Sequence, residues 1–206
     1  MVSANEALLR LREGNRRFVS DTRTHDSLAR EARRRELAAG QAPFAIILGC
    51  SDSRVPAEMV FDQGLGDLFV IRVAGNVVAS SQVGSVEFAT ARFGTPLVVV
   101  LGHSQCGAIA ATIEELQQPT NQSRNLRSIV DRIRPSVEVL LETDLRHDPD
   151  GLARQAVRAN VRASANQLRH GSEILERLVQ TDRLQIVGAE YSLETGIVDF
   201  FEGVDG

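Results

Sequence analysis

Apolar residues recur along this chain in two rhythms. Four short, largely apolar runs stand out: FAIIL at 44–48, LFVIRV at 68–73, LVVVL at 97–101 and LQIVGA at 184–189. Each is too short for a typical helix, and most are rich in β-branched residues. Such runs predict strands buried on both faces, and LVVVL is the clearest. Between them the apolar positions take a helical spacing. Ser80 and Ser81 can cap a helix through Phe93, which Gly94 stops. Another helix is predicted from about Cys106 to Leu116, followed by a polar loop at 119–125. Two more cover roughly 126–143 and 152–180, with a break near Gly171 and Ser172. Residues 197–201 (IVDFF) can pair back as an antiparallel edge through a turn at Glu194, Thr195 and Gly196. Strands separated by helices predict an α/β fold. Its sheet is mostly parallel, with about four parallel strands, an antiparallel edge strand and right-handed crossovers.

The N-terminal 40 residues read differently. Ser3-Ala4-Asn5-Glu6 has the capping-box spacing. It opens a helix to about Phe18, with Leu8, Leu9 and Leu11 on the apolar side. A second helix is expected over 28–39, with Gly40 to end it. Both are rich in Arg and Glu, so residues 1–40 are predicted to be a helical arm rather than core. The whole of 1–206 is read as one domain, with 41–206 as its α/β body.

Composition narrows the function. A net charge of -4 disfavours nucleic-acid binding, which rests on basic surface. The basic stretch from Arg30 to Arg35 is broken by Glu31 and reads as a solvated helix face. No apolar run approaches the roughly 20 residues needed to span a bilayer, so no membrane partner is expected. The opening MVSANEALLRLREG lacks the apolar core of a signal peptide. A cytoplasmic location, with reduced thiols, is the expectation. In that setting the only two cysteines, Cys50 and Cys106, suit metal binding or catalysis better than a disulfide.

Those cysteines sit in two motifs at equivalent places. Cys50-Ser51-Asp52-Ser53-Arg54 begins just after the first strand, and His103-Ser104-Gln105-Cys106-Gly107 just after the third. Open α/β sheets place ligands at the carboxyl ends of their strands, and neighbouring strands are only about 4.8 Å apart. A lone cysteine is commonly a small core hydrophobe, and a lone histidine a satisfied side chain. Two cysteines and a histidine converging at two strand ends are better read as a soft Cys2His donor set for zinc, with a fourth position open. Asp52 could fill that position or leave it to water, and Arg54 can grip the same carboxylate through two parallel hydrogen bonds. His25, His147 and His170 lie in polar contexts and read as surface residues. Gly64-Leu65-Gly66 lacks the third glycine of a dinucleotide fingerprint, and Gly49-Cys50-Ser51-Asp52-Ser53 lacks the last glycine of a nucleophile elbow.

At CSDSR and HSQCG, about fifty residues apart, the sequence resembles the β-class carbonic anhydrases. The likeness extends through GQAPFAIILGCSDSRVPAE, FDQGLGDLFVIRVAGNVV, GSVEFA and VVVLGHSQCGA to IVGAEYSLETGIV, from about Asn5 to Asp199. The resemblance implies one zinc per chain on Cys50, His103 and Cys106. It implies reversible hydration of carbon dioxide to bicarbonate and a proton by hydroxide on that zinc. Asp52 and Arg54 would be the catalytic dyad, with Asp52 on the metal only in a closed state. Gln41 and Phe69 would line the substrate pocket, usually of a partner subunit, and Gly107 would offer its N–H. Phe88 falls where the family often has tyrosine, so that hydroxyl is missing here. Residues 1–40 would wrap the partner of an obligate homodimer, or of a tetramer. Some members hold bicarbonate in a second, inhibitory pocket. Arg72 and Tyr191 match two of its residues, but its tryptophan is replaced by Ile47, and this chain has no tryptophan. Two other functions fit the same ligands: hydrolysis of carbon disulfide or carbonyl sulfide, and a non-catalytic zinc or thiol-sensor module with Asp52 fixed on the metal.

Overall fold

A computed structural model describes residues 2–23, 31–120 and 123–204. Its centre is a five-stranded sheet built from β1 (Ala45–Gly49), β2 (Leu68–Arg72), β3 (Leu97–His103), β4 (Gln185–Tyr191) and β5 (Val198–Glu202). The strand order is β2-β1-β3-β4-β5. The first four run parallel and β5 pairs antiparallel to β4, as the sequence pattern predicts. Every residue of β1 and β3 is buried, which is why their sequences are continuously apolar.

Alternation along the strands divides the core between two faces. Ala45, Ile47, Val99 and Leu101 pack with residues of α1 (Ala4–Val19) and α3 (Ala57–Val60). Ile46, Leu48, Val98 and Val100 pack with residues of α4 (Ser80–Phe93), α7 (Pro149–His170) and α8 (Glu173–Gln180). A third cluster gathers Cys50, Cys106, Ile109, Ile133, Val137 and Val157. It joins the strand ends to α5 (Gly107–Gln117), α6 (Arg124–Leu141) and α7.

Three local expectations need correction. The first concerns α1, which belongs to this chain's own core. Ala7, Leu8, Leu11, Gly14 and Asn15 form a buried stripe, while Arg and Glu occupy the other faces. Asn15 donates to the Val60 and Gly196 carbonyls and accepts from the Val198 N–H. Leu9 lies about 100° round the helix from Leu8 and is half exposed. Ser3 caps the helix by accepting from the Glu6 N–H at 3.2 Å, but the Glu6 carboxylate turns to Arg10 instead of back to the cap. The second concerns the end of α2 (Glu31–Leu37), which is exposed and laced by Arg–Glu pairs as expected but stops at Leu37 rather than 39; residues 28–30 lie outside the described set. The third is the start of α4. Its cap is Ala79, with no side-chain bond, and Ser80 is already helical; Gly94 ends it in the left-handed region at φ 65°.

Candidate metal centre

The two motifs meet because β1 and β3 are neighbours, with Gly49 opposite Leu101. Cys50 follows the last residue of β1. His103 ends β3, and Cys106 is the N-cap of α5. Gln105 takes a left-handed φ of 56°, which turns the chain so that both His103 and Cys106 face Cys50. The sulfurs of Cys50 and Cys106 and a ring nitrogen of His103 all lie within 4.8 Å of one another, and all three residues are buried.

The tautomer of His103 follows from its partner. Nδ1 is 2.8 Å from the Ser104 carbonyl, an acceptor, so Nδ1 carries the proton. In the neutral ring, the form that ligates metal, Nε2 is then a lone pair, buried and without a hydrogen-bond partner. A buried orphan acceptor is costly unless something electropositive meets it. Two thiols and that nitrogen are a donor set suited to zinc.

The thiols are prepared for ligation. Cys50 is pulled well below the usual thiol range, first by the facing Cys106 thiol and further by the Gly75 N–H, against burial. That N–H donates to the Cys50 sulfur at 3.4 Å. Cys106 is pushed up, because its thiol donates to Cys50 and is buried, while the Ala108 and Ile109 N–H groups at the start of α5 pull the other way. Both sulfurs must be deprotonated to ligate, so binding of a divalent cation would release protons.

Asp52 lies at the rim of this site. Its carboxylate accepts from Arg54 Nε at 2.9 Å, Arg54 Nη2 at 2.8 Å and the Arg54 backbone N–H at 3.0 Å. These bonds hold the carboxyl well below the usual range, so it is ionised at physiological pH. Oδ2 is also 3.9 Å from His103 Nε2. Gly107, the first residue of α5, is exposed beside Cys106.

Other residues singled out from the sequence lie elsewhere in the chain. Gln41 is exposed before the N-terminal end of β1, the end opposite Cys50. Phe69 is opposite Ile46, four positions before Cys50 on the neighbouring strand. It stacks with Phe88 and Phe93 in an aromatic cluster, and Phe88 is 55% exposed. Arg72 donates to the carbonyls of Cys50 at 3.0 Å and Asp52 at 2.6 Å, so it braces the ligand loop. Tyr191 is buried opposite His103 on β4, with β1 and β3 between it and the strand of Arg72. Ile47 is buried in the core. His147 and His170 are exposed, as expected, and His25 lies outside the described residues. The bracing by Arg72 and the Gly75 N–H were not read from sequence, because both depend on which backbone atom or sulfur a neighbouring strand presents.

Comparison with known proteins agrees with this geometry. The carbonic anhydrase family model matches residues 45–198. Carbonic anhydrase 2 of Mycobacterium tuberculosis H37Rv is 41% identical over 188 residues, covering 90% of this chain and 87% of the relative. A carbonic anhydrase of Mycolicibacterium smegmatis is 39% identical over 189 residues, covering 92% and 89%. The solved structure of CafA, a β-carbonic anhydrase of Aspergillus fumigatus, superposes with a TM-score of 0.75 at 24% identity, covering 98% of this chain and 92% of that one. Zinc on Cys50, His103 and Cys106 and the hydration of carbon dioxide follow from the match and the ligand cluster together: the chain belongs to the β-class carbonic anhydrases.

Proposed function

We propose that Asp52, gripped by Arg54, accepts a hydrogen bond from the attacking hydroxide and aims its lone pair during carbon dioxide hydration, and that the active unit is a homodimer or a tetramer. The observation that carries the first part is the position of Asp52 Oδ2, 2.8 Å from Arg54 Nη2 and 3.9 Å from His103 Nε2. Zinc, when bound, supplies Lewis acidity, lowering the pKa of water enough to provide a nucleophile near neutral pH. The rest falls to the chain's own residues. Arg54 competes for the Asp52 carboxylate and keeps it beside the metal position. There its remaining lone pairs can accept the hydroxide's hydrogen bond and aim the oxygen at carbon dioxide. Oxygen–carbon bond formation gives bicarbonate, and the proton passes to solvent.

Gly107 supplies a backbone N–H for a bicarbonate oxygen. A Cβ there would meet no atom of this chain within 4 Å, so the glycine leaves room for substrate rather than relieving an internal clash. Gln41, Phe69 and Phe88 complete a partner's pocket, the amide by hydrogen bonding and the rings as an apolar slot. The exposure of Gln41 before the opposite end of β1 from Cys50, together with the exposed Phe88, supports that reading. The second bicarbonate pocket is weak here. Arg72 is committed to two carbonyls, and Ile47 has no indole donor.

Stopped-flow hydration of carbon dioxide, run beside hydrolysis of carbon disulfide and carbonyl sulfide, is the direct test. Hydration should dominate and should fall in Asp52→Ala and Arg54→Ala with zinc retained. Wild-type hydration in either variant would remove the proposed roles.

A further inference from the structure

The turn Ala74–Asn76, a 3-10 turn after β2, sits against the metal centre under unusual constraint. Gly75 and Asn76 both take left-handed φ values, 67° and 44°. A Cβ on Gly75 would come within 2.8 Å of Ile133 Cδ1 and 3.0 Å of Ala108 Cβ, so the turn is walled in by α6 and α5. Its Gly75 N–H donates to Cys50 Sγ. Two buried polar residues of α7 hold the turn from behind. Asn160 Nδ2 donates to the Gly75 carbonyl at 2.8 Å, and Ser164 Oγ donates to the Asn76 carbonyl at 3.1 Å. They stand one helical turn apart among Val157, Val161, Ala165 and Leu168 on a face that is otherwise apolar.

We infer that Asn160 and Ser164 are positioning residues for the zinc ligand Cys50, acting through the Gly75–Asn76 turn. The chain of contacts is continuous: α7 side chain, turn carbonyl, turn N–H, ligand sulfur. The two bonds fix the peptide planes that follow Gly75 and Asn76, and so anchor the Cα of Gly75, about which the preceding plane directs the Gly75 N–H at the sulfur. An N–H aimed at a thiolate stabilises its charge and restrains its direction. The same bond withdraws electron density from the sulfur. Two thiolates and a divalent cation cancel in charge, so this withdrawal preserves acidity at the metal.

The test is metal binding rather than turnover. Zinc affinity would be measured on the zinc protein by competition with a chromophoric chelator. The cobalt-substituted protein would report the thiolate-to-metal charge-transfer band. Asn160→Ala and Ser164→Ala should weaken zinc binding by about 10- to 100-fold and shift the band. Ser164→Thr, which keeps a hydroxyl, should restore both. Leu168→Ala, a core truncation on the same helix with no bond to the turn, should lower the melting temperature and leave the band in place. Wild-type affinity and an unmoved band in Asn160→Ala and Ser164→Ala would overturn the inference. So would a Leu168→Ala variant that shifts them as far, since general loosening would then suffice. If Asn160→Ala does not fold, the Ser164→Ala and Ser164→Thr pair decides by the same criteria.

Discussion

Removing one thiolate leaves Cys50 or Cys106 without its partner and His103 Nε2 with a poorer site. Cys50→Ala and Cys106→Ala should each lose zinc and activity together, read by metal analysis and stopped-flow assay. A zinc-free Cys106→Ala protein at full activity would contradict the ligand set. Arg54→Ala should behave differently. The three donors remain, so zinc stays, but Asp52 is released to swing onto the metal and hydration should fall by about 10²-fold or more. In the wild type near pH 8.5, a crystal structure should show Asp52 on Arg54 and water as the fourth ligand. Asp52 on zinc in every subunit, with bicarbonate near Arg72, would be the contrary result. At this scale the sequence was legible where function is carried by contiguous side chains, as in CSDSR and HSQCG. It was silent where function is carried by backbone. Arg72 read as a ligand-pocket residue, yet its guanidinium spans the carbonyls of Cys50 and Asp52. No sequence pattern marks which carbonyls a side chain will meet.

Elements were legible in proportion to how completely they are buried. β1 and β3 have no solvent face, so their sequences could hardly be anything but strand. α1 is rich in Arg and Glu, and that composition hid that its stripe at Ala7, Leu8, Leu11 and Gly14 packs into this chain's own core. Gly14 is the position that tests the docking of this helix. A Cβ there would stand 1.8 Å from the Phe61 carbonyl oxygen, a backbone atom that cannot step aside cheaply. Gly14→Ala should therefore cost about 1–3 kcal/mol in thermal or urea unfolding. An unchanged midpoint would mean that α1 does not rest on its own chain as described.

At the scale of the molecule, Gln41, Phe69 and Phe88, which the resemblance implies for a substrate pocket, could be named from sequence but not assembled into one, since a partner subunit's contribution is not written in one chain. If a second copy completes the pocket, specific activity should fall on dilution in step with dissociation, followed by sedimentation across the same series. A monomer at full specific activity would refute this. The placement of the ligands on two strand ends has a further consequence. Cys50 and Cys106 are separated by about fifty residues that carry α3, β2, α4 and all of β3. A shared ion ties that segment into a ring, so it cannot open at the strand ends until the ion leaves. Free zinc at about 100 times its Kd would add roughly 2.7 kcal/mol to folding stability, and a strong chelator should lower the melting temperature accordingly. Metal supply would then set how long the protein survives proteolysis as well as how fast it works, and a zinc-starved cell would lose the enzyme itself.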